Sequence, residues 1–256
     1  MSAPLRFGDV SVDLTGHVAV VEMHRPPHNY FDHILIGHLA DAFDAMDDEP
    51  ECRAILLCSE GKSFCAGAAF GGPDRGVHTE KLYAEGVRMF RAKKPVVAAI
   101  QGPAIGGGLG VALVADFRVA APEARFAANF VKIGIHPGFG LTHTLPRLIG
   151  EQKASLLFLT GRRLDGGTAL EWGLVDQLST QERLREDALN LAAEIAEGAP
   201  LAIVSARATL RAGLAEAVHK QTRHERAEQE RLFKTDDHAE GVRAVSERRV
   251  GNFTGR

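Results

Sequence analysis

The segments SEGKSFCAGAAF (residues 59–70) and IQGPAIGGGLGVAL (residues 100–113) decide how this chain is read. Each directly follows a run of strand character, Ala54 to Ser59 and Val96 to Ile100, and the second opens into a helical pattern. Consecutive small residues let the main chain approach a ligand without a Cβ in the way. Peptide N–H groups at a helix start point outward and carry partial positive charge. Two such turns can aim a pair of N–H donors at one oxygen, which is what an oxyanion hole requires. The glycines alone leave other readings open. Gly106, Gly107, Gly108 and Gly110 could belong to a dinucleotide loop, although their spacing does not give G-x-G-x-x-G and no P-loop lysine follows them. A plain structural turn is the third possibility.

Outward from these segments the first half of the chain alternates strands with amphipathic helices. Val18 to Met23 reads as a further strand. Leu35, Leu39, Phe43 and Met46 recur at helical spacing, with Asp32 placed as N-cap. This recurrence predicts an α/β fold with helix-covered sheets. From about Glu151 strand signals almost vanish, and alanine, leucine, glutamate and arginine dominate. Helices are predicted over Lys153 to Leu159, Asp165 to Trp172, Gln181 to Ala196, Leu201 to Leu210 and Ala215 to Phe233, with a last one after Asp236 and Asp237. The turn Gly198-Ala199-Pro200 divides a core, residues 1–198, from a helical C-terminal region, residues 199–256.

Bulk properties fit a soluble globular protein, with 45% hydrophobic and 25% charged residues. A net charge of -3 gives no basic footprint for nucleic acid. Cys52, Cys58 and Cys65 fit no zinc-ligand spacing and, being odd in number, make a poor disulfide framework. The start, MSAPLRFGDV, lacks the basic and apolar runs of a signal peptide, and no apolar stretch is long enough to span a bilayer. The expectation is a cytoplasmic protein with no metal and no membrane contact.

Taken together, the two segments resemble the two oxyanion segments of the crotonase (enoyl-CoA hydratase/isomerase) superfamily. HRPPHN near the start, KIGIHPGFGLTHTLPRLIG and LTGRRLDGGTALEWGLVDQ in the middle, and TDDHAEGVRAVSERRVGNFTGR at the end match in order. The resemblance therefore covers essentially the whole chain. It implies a spiral of β-β-α turns, a helical C-terminal region used in assembly as a homotrimer or dimer of trimers, and coenzyme A entering only as part of an acyl-CoA substrate. It places the two thioester-binding N–H groups on Ala68 and Gly107. Ala66, Gly67, Phe70 and Gly106 would line the substrate path, and Arg248 would offer charge to the CoA phosphates. Val245 stands where the family usually has a phenylalanine.

The departures from that resemblance bear on the chemistry. Hydration of an enoyl thioester uses paired carboxylates as acid and base. The resemblance puts those positions, and a third carboxylate used by some relatives, at Gly110, Phe130 and Gly138. None of these can move a proton. Ala69 also replaces the aspartate that usually follows the oxyanion alanine. His136, in the turn Ile135-His136-Pro137-Gly138, becomes the candidate acid–base group because imidazole titrates near neutrality, against the plainer alternative of a turn-packing residue. His143 reads as a helix-face residue. Asp74 and His78 fall in a loop that would border the site, and Asp116 reads as a structural acid. Phe130 would shape an apolar or aromatic acyl pocket. Three readings follow: an enolate-stabilising enzyme with altered acid–base groups, including a malonyl-type decarboxylase; a thioesterase, for which no serine–histidine or cysteine–histidine pair stands out and Cys65 in the first segment reads as structural; and a non-catalytic acyl-CoA binding protein.

Overall fold

The computed structural model describes residues 4–69 and 75–256. Three antiparallel strands open it: β1 (Leu5–Phe7), β2 (Val10–Thr15) and β3 (Val18–Met23). Helix α1 (His33–Asp48) then crosses to β4 (Ala54–Ser59), which pairs in parallel with β3. Helix α2 (Arg75–Phe90) leads to β5 (Val96–Ile100), parallel to β4. After β6 (Ala104–Ile105) and α3 (Gly107–Ala112), β7 (Phe117–Ala120) pairs in parallel with β5. Next come β8 (Arg125–Ala127), a 3-10 turn (Asn129–Ile133), α4 (Leu141–Ile149), α5 (Glu151–Thr160), β9 (Arg163–Asp165), α6 (Gly166–Glu171) and β10 (Gln177–Leu178). Four helices close the chain: α7 (Leu184–Ala196), α8 (Pro200–Leu210), α9 (Leu214–Leu232) and α10 (Asp236–Ser246). The larger sheet runs β1-β2-β3-β4-β5-β7-β10, and a smaller one runs β6-β8-β9.

Period-two patterning gives the large sheet two buried faces. On β4, Ile55 and Leu57 face the main core with Leu35, Leu39 and Phe43 of α1. Ala54, Leu56 and Cys58 alternate to the other face, where α7 lays down Leu184, Ala188, Ala192 and Ala196. Those four recur every fourth residue, and the three alanines let helix and sheet approach closely. Asp32 caps α1 as expected, its Oδ1 accepting the Leu35 N–H at 2.9 Å.

The core is fastened to the C-terminal helices by Asp116. Its carboxylate accepts from Arg207 Nε and Arg211 Nη1, both at 2.8 Å, and from the Val96 N–H at 2.8 Å. The structural role read from the sequence for Asp116 is what the fold shows. Two local expectations are corrected. His78 lies inside α2, not in a loop. Helix α7 begins at Leu184 rather than Gln181, after a turn in which Arg183 N–H bonds Thr180 O. The short strands β9 and β10 lie where strand signals had faded. Among the described residues no single helix is long and apolar enough to cross a membrane.

Strands β4 and β5 run side by side and end at Ser59 and Ile100, so both glycine-rich segments leave the sheet at neighbouring carboxyl ends. In parallel sheets this is the edge where ligands are met.

Candidate active site

The first segment is held between two other stretches of backbone. Asn29, fully buried, donates from Nδ2 to Glu60 O at 2.7 Å and Ser63 O at 2.8 Å. Ala66 N–H donates to His28 O at 2.9 Å, and Ala69 N–H to Phe31 O at 2.8 Å. On the other side, Cys65 N–H donates to Pro103 O at 3.1 Å, and Ile105 N–H returns to Cys65 O at 3.0 Å. A Cβ on Gly108 would collide with the Cys65 carbonyl, so only glycine there lets the first turn of α3 settle on the first segment. Gly106 caps α3 at φ +56°, its own N–H spent on Ala127 O at 2.8 Å.

The N–H groups of Ala68 and Gly107 are left over from this backbone pairing. Among the described residues, no backbone carbonyl accepts from Ala68 N–H or from Gly107 N–H. Gly107 opens α3, so its N–H has no carbonyl within the helix. Both residues line a cavity of about 470 Å3, together with Ala66, Gly67 and Gly106. The sequence placed these five at the site, and the fold brings them together.

Several aromatic rings line the cavity. Phe31, Phe130 and Phe139 are each almost fully buried, and the Phe31 and Phe139 rings lie 5.6 Å apart. A Cβ on Gly107 would lie 2.5 Å from Phe31 Cζ, so the first turn of α3 rests directly on that ring. No carboxylate lines the cavity among the described residues. Its titratable side chains are His28, Tyr30 and Tyr83, with Arg125 and Arg163 exposed on β8 and β9. Burial first, and the nearby Glu225 carboxyl second, push the Tyr83 hydroxyl far above the ordinary phenol range, so it stays protonated. Glu225 lies behind this wall. Burial pushes its carboxyl up to about 7, although Gly140 N–H at 2.7 Å, Thr142 N–H at 3.0 Å and Thr142 Oγ1 at 2.6 Å all donate to it.

Other candidate residues stand elsewhere. His136 does not line the cavity: its Nδ1 lies 2.8 Å from Pro137 O, and its ring meets His224 edge-on at 5.7 Å. The geometry matches the turn-packing alternative rather than an acid–base role. Arg248 is exposed just past the end of α10 at φ +57° and does not touch the cavity, whereas Val245 does. Phe70 and Asp74 lie outside the described residues. His78 is exposed and stacks on His33 at 4.7 Å. His143 is half-buried on α4, and burial, then Arg147, lowers its imidazole pKa. Cys65 is buried, its Sγ donates to Asn29 O at 3.1 Å, and burial pushes the thiol up to about 12, which removes it as a nucleophile near neutrality. Sequence reasoning missed Tyr83 and Gln229, which hydrogen-bond to each other on the cavity wall from α2 and α9. No local motif marks either one.

Comparison with known proteins places the whole chain in one family. The model of the family described as enoyl-CoA hydratase/isomerase matches residues 13–256. A probable enoyl-CoA hydratase of Rhizobium meliloti is 32% identical over 254 residues, covering 97% of this chain and 99% of that protein. A carnitinyl-CoA dehydratase of Citrobacter koseri is 32% identical, covering 96% of this chain and 99% of its own. The crystal structure of an enoyl-CoA hydratase/isomerase from Pseudoalteromonas atlantica superposes with a TM-score of 0.86 at 28% identity, covering 96% of this chain and all of the other.

Proposed function

Because the chain belongs to the enoyl-CoA hydratase/isomerase family, we propose that it is an acyl-CoA-processing enzyme. In this reading the Ala68 and Gly107 N–H groups stabilise a thioester enolate, and no pair of glutamates moves the protons. The observation that carries it is one cavity wall that, among the described residues, has the Ala68 and Gly107 N–H groups without a backbone acceptor and no carboxylate. Donors fixed before charge develops lower the barrier most, since they need not reorganise as the enolate forms. The aromatic rings on the wall keep water away and strengthen them further.

The same absence of carboxylates favours a second route to the enolate. In a malonyl-type thioester the bond between the α-carbon and the carboxylate breaks, its electron pair passes to the thioester as enolate, and carbon dioxide leaves. No base is needed to begin, and solvent can supply the proton that completes the product. Hydrolysis through Cys65 is disfavoured by the buried, protonated thiol.

With this function go the assembly and setting expected from the sequence. A core over residues 1–198 would carry the site, residues 199–256 would assemble the chain as a homotrimer or dimer of trimers in the cytoplasm, and coenzyme A would enter only as part of the substrate. Deuterium uptake at the thioester α-carbon tests the function. Sedimentation of the purified protein tests the assembly.

A further inference from the structure

One end of the cavity is built differently from the rest. Tyr83 on α2 and Gln229 on α9 line it, with 8% and 4% of their surfaces exposed. Tyr83 Oη donates to Gln229 Oε1 at 2.8 Å, and Gln229 Nε2 donates to His136 O at 2.9 Å. A carbonyl can only accept, so the His136 contact fixes which way the amide faces. A side-chain amide carries two N–H bonds, and Gln229 has spent one. Among the described residues the second has no acceptor, which leaves a buried donor on a cavity wall. Such a group is costly unless something completes it.

Gly138 is what leaves the pair uncovered. A Cβ there would collide with Tyr83 Oη and lie 2.6 Å from Gln229 Nε2. A chain of contacts separates the pair from the oxyanion turn: Phe31 lies against Gly107, Phe139 against Phe31, and Gly138 adjoins Phe139. The pair therefore meets a part of the acyl group distinct from the thioester.

The charges around it define what that part can be. Behind the pair, four residues earlier on α9, stands the buried Glu225 carboxyl. Arg226, next to Glu225 in the chain, is committed to Glu80 at 2.7 Å and Glu230 at 3.4 Å, Arg231 pairs with Glu228 at 2.7 Å, and Lys81 on α2 is exposed. Arg125 and Arg163 belong to other elements of the wall and are exposed. On α2, Glu85 is taken up by Arg88. A ligand carboxylate would thus be buried beside Glu225 without a counterion, which is strongly unfavourable. An uncharged oxygen meets the neutral Gln229 donor at no such cost.

Resting on the acyl-CoA reading above, we propose that Tyr83 and Gln229 form a specificity subsite for acyl groups that carry an uncharged oxygen, a ketone or a hydroxyl, along the chain. All-hydrocarbon chains leave the Gln229 donor unmet, and carboxylate-ended chains bring an unpaired charge.

Calorimetric binding of an acyl-CoA set of equal chain length tests this. The set comprises the saturated thioester, ketones and alcohols with the oxygen moved stepwise along the chain, and the ω-carboxylate. At one oxygen position the ketone or alcohol should bind about tenfold tighter than the saturated thioester, as one completed buried hydrogen bond implies. The ω-carboxylate should bind more weakly than the saturated thioester. Tyr83→Phe and Gln229→Leu should each reduce the preference to about twofold or less, with circular dichroism and urea denaturation showing that both variants are folded. Equal binding of oxygenated and saturated thioesters at every position would overturn the subsite while leaving the acyl-CoA reading intact. So would a preference that survives both substitutions. Failure of every thioester to bind would overturn both.

Discussion

The ring of Phe139 occupies the space into which a side chain on Gly110 would project: a Cβ built on Gly110 would lie 2.7 Å from both Cβ and Cδ1 of Phe139. Phe139 holds this place at φ +63°, in a left-handed conformation that L-residues seldom adopt. The helix after the triple glycine therefore has no room for a longer residue at this point. The absence of a carboxylate there is matched by the packing around it.

Gly110→Glu is accordingly expected to destabilise the fold by about 1–3 kcal/mol through overpacking. Phe139→Ala opens a cavity and costs about 3–5 kcal/mol on its own. Combined, the two should cost at least 1 kcal/mol less than their sum, because each relieves the other. Urea denaturation of the four proteins in the cycle measures this, and strict additivity would show that the ring and position 110 do not compete.

Asp116 predicts an effect as large as that of Phe139→Ala. It is the common partner of Arg207 and Arg211, whose side chains are only 9% and 14% exposed. Asp116→Ala leaves two poorly solvated guanidinium groups without their carboxylate and should cost about 3–5 kcal/mol. Asp48→Ala is the contrast, since its contact to Lys93 is long and both side chains are exposed. That change should stay within about 0.5 kcal/mol. Chemical denaturation of both variants would contradict the account if their losses were alike.

Glu225 gives the fold a pH dependence of definite sign. Burial raises its folded pKa from the ordinary 4.5 to about 7, so the native protein holds this proton more tightly than the unfolded chain does. Stability from this group is complete below about 4.5 and is lost as pH rises through about 7. Between pH 5 and pH 8 the wild type should lose roughly 3 kcal/mol more than Glu225→Gln. Denaturation midpoints at the two pH values decide it, and parallel losses in the two proteins would refute the assignment.

What the sequence made legible is what depends on neighbours along the chain. The two glycine-rich turns are written in consecutive small residues after strands, the α1 cap in an aspartate three residues before its N–H partner, and the buried helix stripe in Leu35, Leu39, Phe43 and Met46. What it hid depends on distant segments meeting. Tyr83 and Gln229 are 146 residues apart in the chain, and neither carries a spacing signal. His136 had the right chemistry in the right turn, yet the direction of its ring is set by Pro137 O and His224. The His78 region gave no apolar register, so the start of α2 was read as loop.

The central claim is that the Ala68 and Gly107 N–H groups stabilise an enolate. Its most direct measurement is α-deuterium incorporation in heavy water, followed by mass spectrometry over saturated, enoyl, aryl and malonyl-type CoA thioesters. The reference is Phe31→Leu, which makes room beside Gly107, and the test protein adds Gly107→Pro. Proline is tolerated at the first position of a helix but lacks the N–H. The account predicts exchange or decarboxylative labelling in wild type and reference, falling about 10²- to 10³-fold when the donor is removed. Binding of the whole panel with no exchange or turnover in the wild type would contradict it and leave the chain as an acyl-CoA binding protein.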